Sequence, residues 1–175
     1  ERIFRIYKSY GLNHVRFHSW CPPEAAFTAA DRIGIYIQAE VLWIDWWMSV
    51  VRKERPEMTT RGLPKGLGHN PSADKFVPEE LQRMIEAYGN HPSFTMLCIG
   101  NELGNSNFDI MQQWIKSLQE KDPRRLYAIS TARKIMPADQ YMVTHNIPQT
   151  GGTYGINGSG TDNDRESIYS KATIP

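Results

Sequence analysis

Residues 93–104 read Ser93-Phe94-Thr95-Met96-Leu97-Cys98-Ile99-Gly100-Asn101-Glu102-Leu103-Gly104. The apolar run from Phe94 to Ile99 is too continuous for a strand with one wet face and suits a parallel sheet covered on both sides. It breaks at Gly100-Asn101-Glu102. A carboxamide and a carboxylate therefore sit where a buried parallel strand meets solvent, the end at which α/β folds gather ligand-binding groups. The same residues also fit a helix N-terminus, with Asn101 or Asn105 as cap and Glu102 complementing the helix dipole.

Working outward, Ile3 to Tyr10 has the period of a helix that stops at Gly11. Asn13 to Trp20 alternates Val15 and Phe17 against Arg16 and His18, as a strand does. Pro22-Pro23-Glu24 opens a second helix, closed after Ile33 by Gly34. Ile35 to Glu40 is the next strand. Residues 41 to about 76 form a long excursion, first Trp-rich and then rich in Gly, Pro and Asn, and loops of that length inside a compact domain are usually functional. Glu79 to Tyr88 is a helix after Pro78, and Asn107 to Lys121 another, ended by Asp122-Pro123. Leu126 to Thr131 and Tyr141 to Ile147 read as further strands, followed by a Gly/Asn/Ser/Thr loop over 151–164 and a last helix from Arg165 to Lys171.

Strands alternating with helices indicate an α/β fold of parallel βαβ units. Two architectures fit: a doubly wound open sheet, or part of a TIM (β/α)8 barrel. No Gly-x-Gly-x-x-Gly follows a strand and no Walker loop occurs, which weakens the nucleotide-binding open sheets. A complete barrel takes about 250 residues, so the barrel reading makes this chain a partial one.

Twenty basic and nineteen acidic side chains among 175 residues leave a net charge of +1, which gives no electrostatic case for nucleic acid or an anionic membrane. No apolar stretch approaches the roughly 20 residues that span a bilayer. Glu1-Arg2-Ile3-Phe4-Arg5 is no signal peptide and lacks an initiator Met, so the chain reads as a segment of something longer. Cys21 and Cys98 lie in or beside apolar runs without partners at metal-ligand spacing and read as two buried free thiols. No H-E-x-x-H or comparable spacing supports a metal site, and nothing in the residues calls for a cofactor.

A parallel sheet brings its strand C-termini to one face. Gathered there are Arg16, His18 and Trp20; Gln38 and Glu40; Asn101 and Glu102; Thr131 and Arg133; His145 and Asn146. Carboxylates, an Asn, His residues and aromatic rings suit a sugar-processing cleft, which needs polar contacts to hydroxyls and flat faces against C–H patches. Plainer roles stand beside these. Arg16 and Glu40 fit a structural ion pair, and His18 and His145 fit core histidines bonded to carbonyls. Trp43, Trp46 and Trp47 are either a sugar-stacking wall or the small core of the long loop, with the wall favoured for one of them. His14, His69 and His91 are given no role.

Several motifs in order resemble glycoside hydrolase family 2, in the clan of retaining β/α-barrel glycosidases. Asn90-His91-Pro92-Ser93-Phe94 leading to Gly100-Asn101-Glu102 is similar to its acid/base segment. Tyr10-Gly11-Leu12-Asn13-His14-Val15-Arg16 resembles its second barrel strand, and Ala30-Asp31-Arg32-Ile33-Gly34-Ile35-Tyr36 through Glu40 its next helix and third strand. Lys121-Asp122-Pro123-Arg124-Arg125 resembles the lead into strand five. The resemblance covers about residues 1–147 and makes the whole chain, 1–175, a partial barrel domain spanning strands two to six.

The resemblance implies a retaining exo-β-glycosidase acting on β-galactosides, β-glucuronides, β-mannosides or related sugars, with β-sandwich domains elsewhere in the parent. It makes Glu102 the general acid/base, Asn101 the partner of the sugar 2-hydroxyl, and Arg16 a support for the nucleophile, with Glu40 in or beside the −1 site. His145, His18, Trp20 and Trp43 are the further substrate-binding candidates. The compartment is not legible from the residues; the resemblance alone implies a periplasmic or secreted parent. Two positions depart from the family. Arg16 is followed by Phe17-His18-Ser19-Trp20 where Ser-His-Tyr is usual, which places His18 one position early, and Ala39 replaces the Asp of an Asp-Glu pair. These departures favour an alternative, a carbohydrate-binding barrel without catalysis. The nucleophile, a Glu on strand seven, is expected beyond Pro175, so the isolated segment should be inactive and marginally stable.

Overall fold

Nine elements alternate in the computed structural model, which describes residues 1–45, 66–104, 106–131, 134–141 and 143. They are α1 (Arg2–Ser9), β1 (His14–Arg16), α2 (Glu24–Ile33), β2 (Tyr36–Glu40), α3 (Pro71–Asp74), α4 (Phe76–Tyr88), β3 (Phe94–Asn101), α5 (Phe108–Lys121) and β4 (Leu126–Thr131). All strands pair in parallel, in the order β1-β2-β3-β4. That order decides between the two architectures. A doubly wound sheet reverses its order at a switch point, whereas a barrel wall adds each strand beside the last. With right-handed crossovers this places every helix on one face, so the sheet is part of a (β/α)8 barrel.

Register separates the two faces. Ile37, Ala39, Leu97, Tyr127 and Ile129 pack with Phe27, Leu81, Met111 and Ile115 of the helices, all nearly inaccessible. Arg16 pairs with Gln38 and Glu40 with Cys98, which puts them on the opposite face. There Cys98, Ala128 and Tyr141 form a second, smaller cluster with Met96, Leu126 and Val143. A register shift where β2 passes from Ile37 to Gln38 keeps this alternation: Ile37 pairs with Phe94 and Gln38 with Met96, leaving Thr95 as the extra residue.

Local chemistry explains the boundaries. Gly34 closes α2 at φ 76°, ψ 51°, its N–H on the Ala30 carbonyl, the left-handed cap that glycine adopts most readily. Asn107 caps α5 by accepting from Ile110 N at 3.3 Å. This excludes Asn101 as a helix cap and leaves it as the last residue of β3.

β1 ends at Arg16, shorter than the expected strand to Trp20, because Ser19 turns at φ 49° and gives its N–H to a side chain rather than to the ladder. The excursion after β2 is not loop to residue 76: α3 begins at Pro71, and α4 begins at Phe76, two residues before Pro78, in a first turn where a missing N–H costs nothing. The proposed strand Tyr141 to Ile147 lies mostly outside the described residues; Tyr141 and Val143 are not in a strand. Trp46, Trp47, Arg133, His145, Asn146, the 151–164 loop and the Arg165 to Lys171 helix also lie outside them.

His91, given no role from sequence, ties the helix layer to β3. Its Nδ1 lies 2.6 Å from Asp31 Oδ2, its ring stacks on Phe27, and Ser93 N donates to Asp31 Oδ1 at 2.9 Å. Burial would raise the Asp31 carboxyl, but the bonds from Ser93 and His91 outweigh it and hold it below its usual value.

Candidate active site

Glu40 ends β2 and is fully buried. A carboxylate in that position needs compensation, and four donors supply it. Arg16 Nε (2.6 Å) and Gln38 Nε2 (3.0 Å) donate to Oε1, while Arg16 Nη2 (3.2 Å) and Ser19 N (2.7 Å) donate to Oε2. Two donors per oxygen fill the roughly four acceptor positions of a carboxylate.

Arg16 continues the network from β1 to β3 and β4. Its Nη2 also donates to Asn101 Oδ1 at 2.9 Å and to Thr131 Oγ1 at 3.3 Å, while the Thr131 hydroxyl donates to Asn101 Oδ1 at 2.5 Å. Asn101 Nδ2 in turn donates to Asp45 Oδ1 at 2.7 Å. Four strand ends are thus joined through one guanidinium and one carboxamide. Arg16, Glu40 and Asn101, read from sequence as strand-end neighbours, come together. Asp45 was not anticipated; it lies five residues past β2, on a segment where strand alternation gives no guidance.

Glu102 follows directly. Its backbone turns left-handed at φ 52°, a conformation that costs a non-glycine residue about 1–2 kcal/mol. The turn is held by β4: Glu102 N donates to Thr131 O at 3.0 Å and to Thr131 Oγ1 at 3.3 Å, and Leu103 N donates to Ser130 Oγ at 3.0 Å. Glu102 itself is half-buried. Beyond it, Asn107 N donates to Leu67 O at 2.8 Å and Leu67 N donates to Ser106 Oγ at 3.0 Å, so the returning excursion braces the loop that carries Glu102.

Among the described residues, two other non-glycine residues are at positive φ, each three residues past a strand: Ser19 at 49° and Trp43 at 66°. They are bonded to each other, Trp43 N to Ser19 O at 3.1 Å. Glu102 follows Asn101 and Ser19 N bonds Glu40, so two of these strained residues border the Arg16–Asn101 network and Trp43 joins it through Ser19, at a usual location of stored backbone strain.

His18 is half-exposed, its Nδ1 4.0 Å from Asp45 Oδ2. Trp43 is 67% exposed. Trp20 is 44% exposed, sits edge-on to Phe17 with centroids 5.4 Å apart, and lines a cavity of about 420 Å³ with Cys21, Leu42, Met84 and Tyr88. No member of the Arg16 network lines that cavity. Beneath Glu40, burial and then the Glu40 charge push the Cys98 thiol well up, and burial pushes the Tyr141 phenol well up, so both stay neutral. Among the described residues, no group of three or more His, Cys, Asp or Glu could hold a metal ion, and no helix is long and apolar enough to cross a membrane.

Comparison with known proteins bears on the family and the fold. Residues 2–148 match the family described as glycosyl hydrolases family 2, TIM barrel domain. A β-galactosidase of Leuconostoc mesenteroides is 27% identical over 123 residues, covering 68% of this chain and 10% of that protein. Among solved structures, an FMN-binding β-glucuronidase from Facaelibacterium prausnitzii superposes with a TM-score of 0.66 at 18% identity, over 97% of this chain and 25% of that one. A β-glycosidase from Bacteroides vulgatus gives 0.57 at 18% identity, over 81% of this chain and 16% of that one. The chain thus spans about a tenth of the curated relative and a quarter or less of these structures.

Proposed function

The chain belongs to glycosyl hydrolase family 2, in its TIM barrel domain, and from that premise we propose that the protein carrying it hydrolyses O-glycosyl bonds of a β-galactoside- or β-glucuronide-like sugar with retention. One observation carries the reading: Asn101 and Glu102 stand side by side at the end of β3, with Asn101 fixed by Arg16 and Thr131 and Glu102 left half-buried beside them.

Glu102 is the general acid/base. It gives its proton to the leaving oxygen as a second carboxylate attacks the anomeric carbon, then takes a proton from the water that releases the sugar. That second carboxylate, about 5 Å away in a retaining site, is expected from beyond Pro175. Asn101 bonds the sugar 2-hydroxyl. Glu40, with every acceptor position filled, serves as the fixed counter-charge that aims Arg16 rather than as a sugar contact. His18, Trp20, Trp43 and His145 are the remaining sugar-contact candidates, and further β-sandwich domains complete the parent.

The test is hydrolysis of aryl β-glycosides by the full-length protein, wild type against Glu102→Ala. Loss of turnover in the variant, partly restored by azide with formation of the β-glycosyl azide, supports the acid/base role. NMR of the first-formed anomer reads retention. A wild type that binds sugar yet turns over no aglycone overturns the enzyme and leaves a binding barrel, the reading that Ala39 and Ser19 favour.

A further inference from the structure

Asn101 reaches the sugar only if its carboxamide is held one way round, and the residue that holds its nitrogen side is Asp45. Arg16 carries donors only, so the atom 2.9 Å from its Nη2 must be the amide oxygen. An ionised Asp accepts only, so the atom 2.7 Å from Asp45 Oδ1 must be the amide nitrogen. The two contacts fix the amide orientation without ambiguity. They also fix what Asn101 offers. Its Oδ1 already accepts from Arg16 and from the Thr131 hydroxyl, and one of the two Nδ2 hydrogens goes to Asp45. Among the described residues nothing else meets the carboxamide, which leaves a single N–H donor for a ligand.

We infer that Asp45 is a positioning residue of the site: it aims the free N–H of Asn101 at an acceptor oxygen of the bound sugar. The inference rests on the proposed contact of Asn101 with the 2-hydroxyl. Asp45 suits this task because the residue before it is tied both to β3 and to the Ser19 turn. Its neighbour Ile44 accepts Asn101 N at 3.0 Å and the Ser19 hydroxyl at 3.3 Å. The Asn101 backbone and side chain are therefore both tied to residues 44–45. Asp45 is three-quarters or more covered, its side chain 15% exposed, so water competes poorly for the bond.

The experiment compares Asp45→Ala, Asp45→Asn and Asn101→Ala in the full-length protein on two substrates, an aryl β-glycoside of a sugar the wild type accepts and its 2-deoxy analogue. Asp45→Ala should lower kcat/KM on the 2-hydroxy substrate by on the order of 100-fold, the scale of a misplaced catalytic contact, and leave the 2-deoxy substrate nearly unchanged relative to wild type. Asp45→Asn keeps an acceptor oxygen and should restore most of the loss. A structural role alone would lower both substrates equally and overturns the inference, as does Asp45→Ala without effect on either. If Asn101→Ala itself fails to distinguish the substrates, the 2-hydroxyl contact fails instead. Should Asp45→Ala not fold, Asp45→Ser, too short to reach Asn101, carries the same comparison.

Discussion

Arg16 and Glu40 form a closed pair across β1 and β2: two guanidinium nitrogens meet the two carboxylate oxygens at 2.6 and 3.2 Å, with Glu40 inaccessible to solvent. Removing one partner leaves an uncompensated buried charge, which costs about 3–5 kcal/mol. Arg16→Leu should therefore lower unfolding free energy in the full-length protein by that amount, read by urea denaturation. The double variant Arg16→Leu/Glu40→Leu should lose less than Arg16→Leu alone, because the buried charge goes with its partner. Additive losses would refute the pairing as the source of the cost.

Gly100 is fixed by crowding rather than by its backbone angle. A Cβ there would overlap the Ile44 carbonyl oxygen and come within 2.6 Å of Ile44 Cγ2. That carbonyl accepts Asn101 N, so it has no room to retreat. Gly100→Ala should destabilise by about 1–3 kcal/mol, as overpacking does, and should impair sugar binding through displacement of residues 44–45. An unchanged melting temperature together with unchanged binding by isothermal titration would contradict the close approach.

How much of this was legible follows from what each signal measures. The run Phe94 to Ile99 disclosed a doubly covered strand because its length and continuity are local, and Leu126 to Thr131 was bounded as observed for the same reason. The Arg16–Glu40 pair was legible as one option, since a charged residue ending a buried strand needs a counter-ion on the next. Asp45 was not, because its partner Asn101 is 56 residues away and it lies on a loop without periodicity. The role of His91 is hidden on the same grounds: its partner Asp31 is 60 residues upstream. The barrel order, too, came from pairing rather than from pattern, since alternating helices and strands serve either architecture.

Asp122 predicts an acid-sensitive stability term. Hydrogen bonds from Arg124, aided by the charges of Arg125 and Arg124, outweigh burial and depress its carboxyl from 3.8 to about 2. Arg125 itself is buried over the Phe94 ring and bonds Asp122 Oδ2 at 2.8 Å. With the folded value below the unfolded one, the stabilisation is complete above about pH 4 and is lost as pH falls through about 2. It amounts to about 2 kcal/mol. Asp122→Asn should therefore be less stable than wild type by about that much at pH 7, and the gap should narrow between pH 4 and pH 2 in denaturation curves. A gap that stays constant down to pH 2 would show that shape, not charge, holds the α5–β4 turn.

The two thiols should resist alkylation, for different reasons. Cys98 is inaccessible and has its thiol pushed well up by burial. Cys21 is half-buried beside the Trp20 cavity, yet burial and then the Glu80 charge push its thiol up to about 12. Only the thiolate attacks iodoacetamide, so at pH 8 about one Cys21 in ten thousand is reactive, against a substantial fraction for an ordinary cysteine of pKa about 8.5. Intact mass after native labelling at pH 8 should show no adduct at either position, and labelling in denaturant should show both. The Cys21 rate should climb about tenfold per pH unit between 8 and 10, as the thiolate fraction does. Rapid stoichiometric labelling of native Cys21 at pH 7 would mean that the groove between Trp20 and α4 is open and polar enough to stabilise a thiolate, contrary to the packing of Pro22, Met84 and Tyr88 around it.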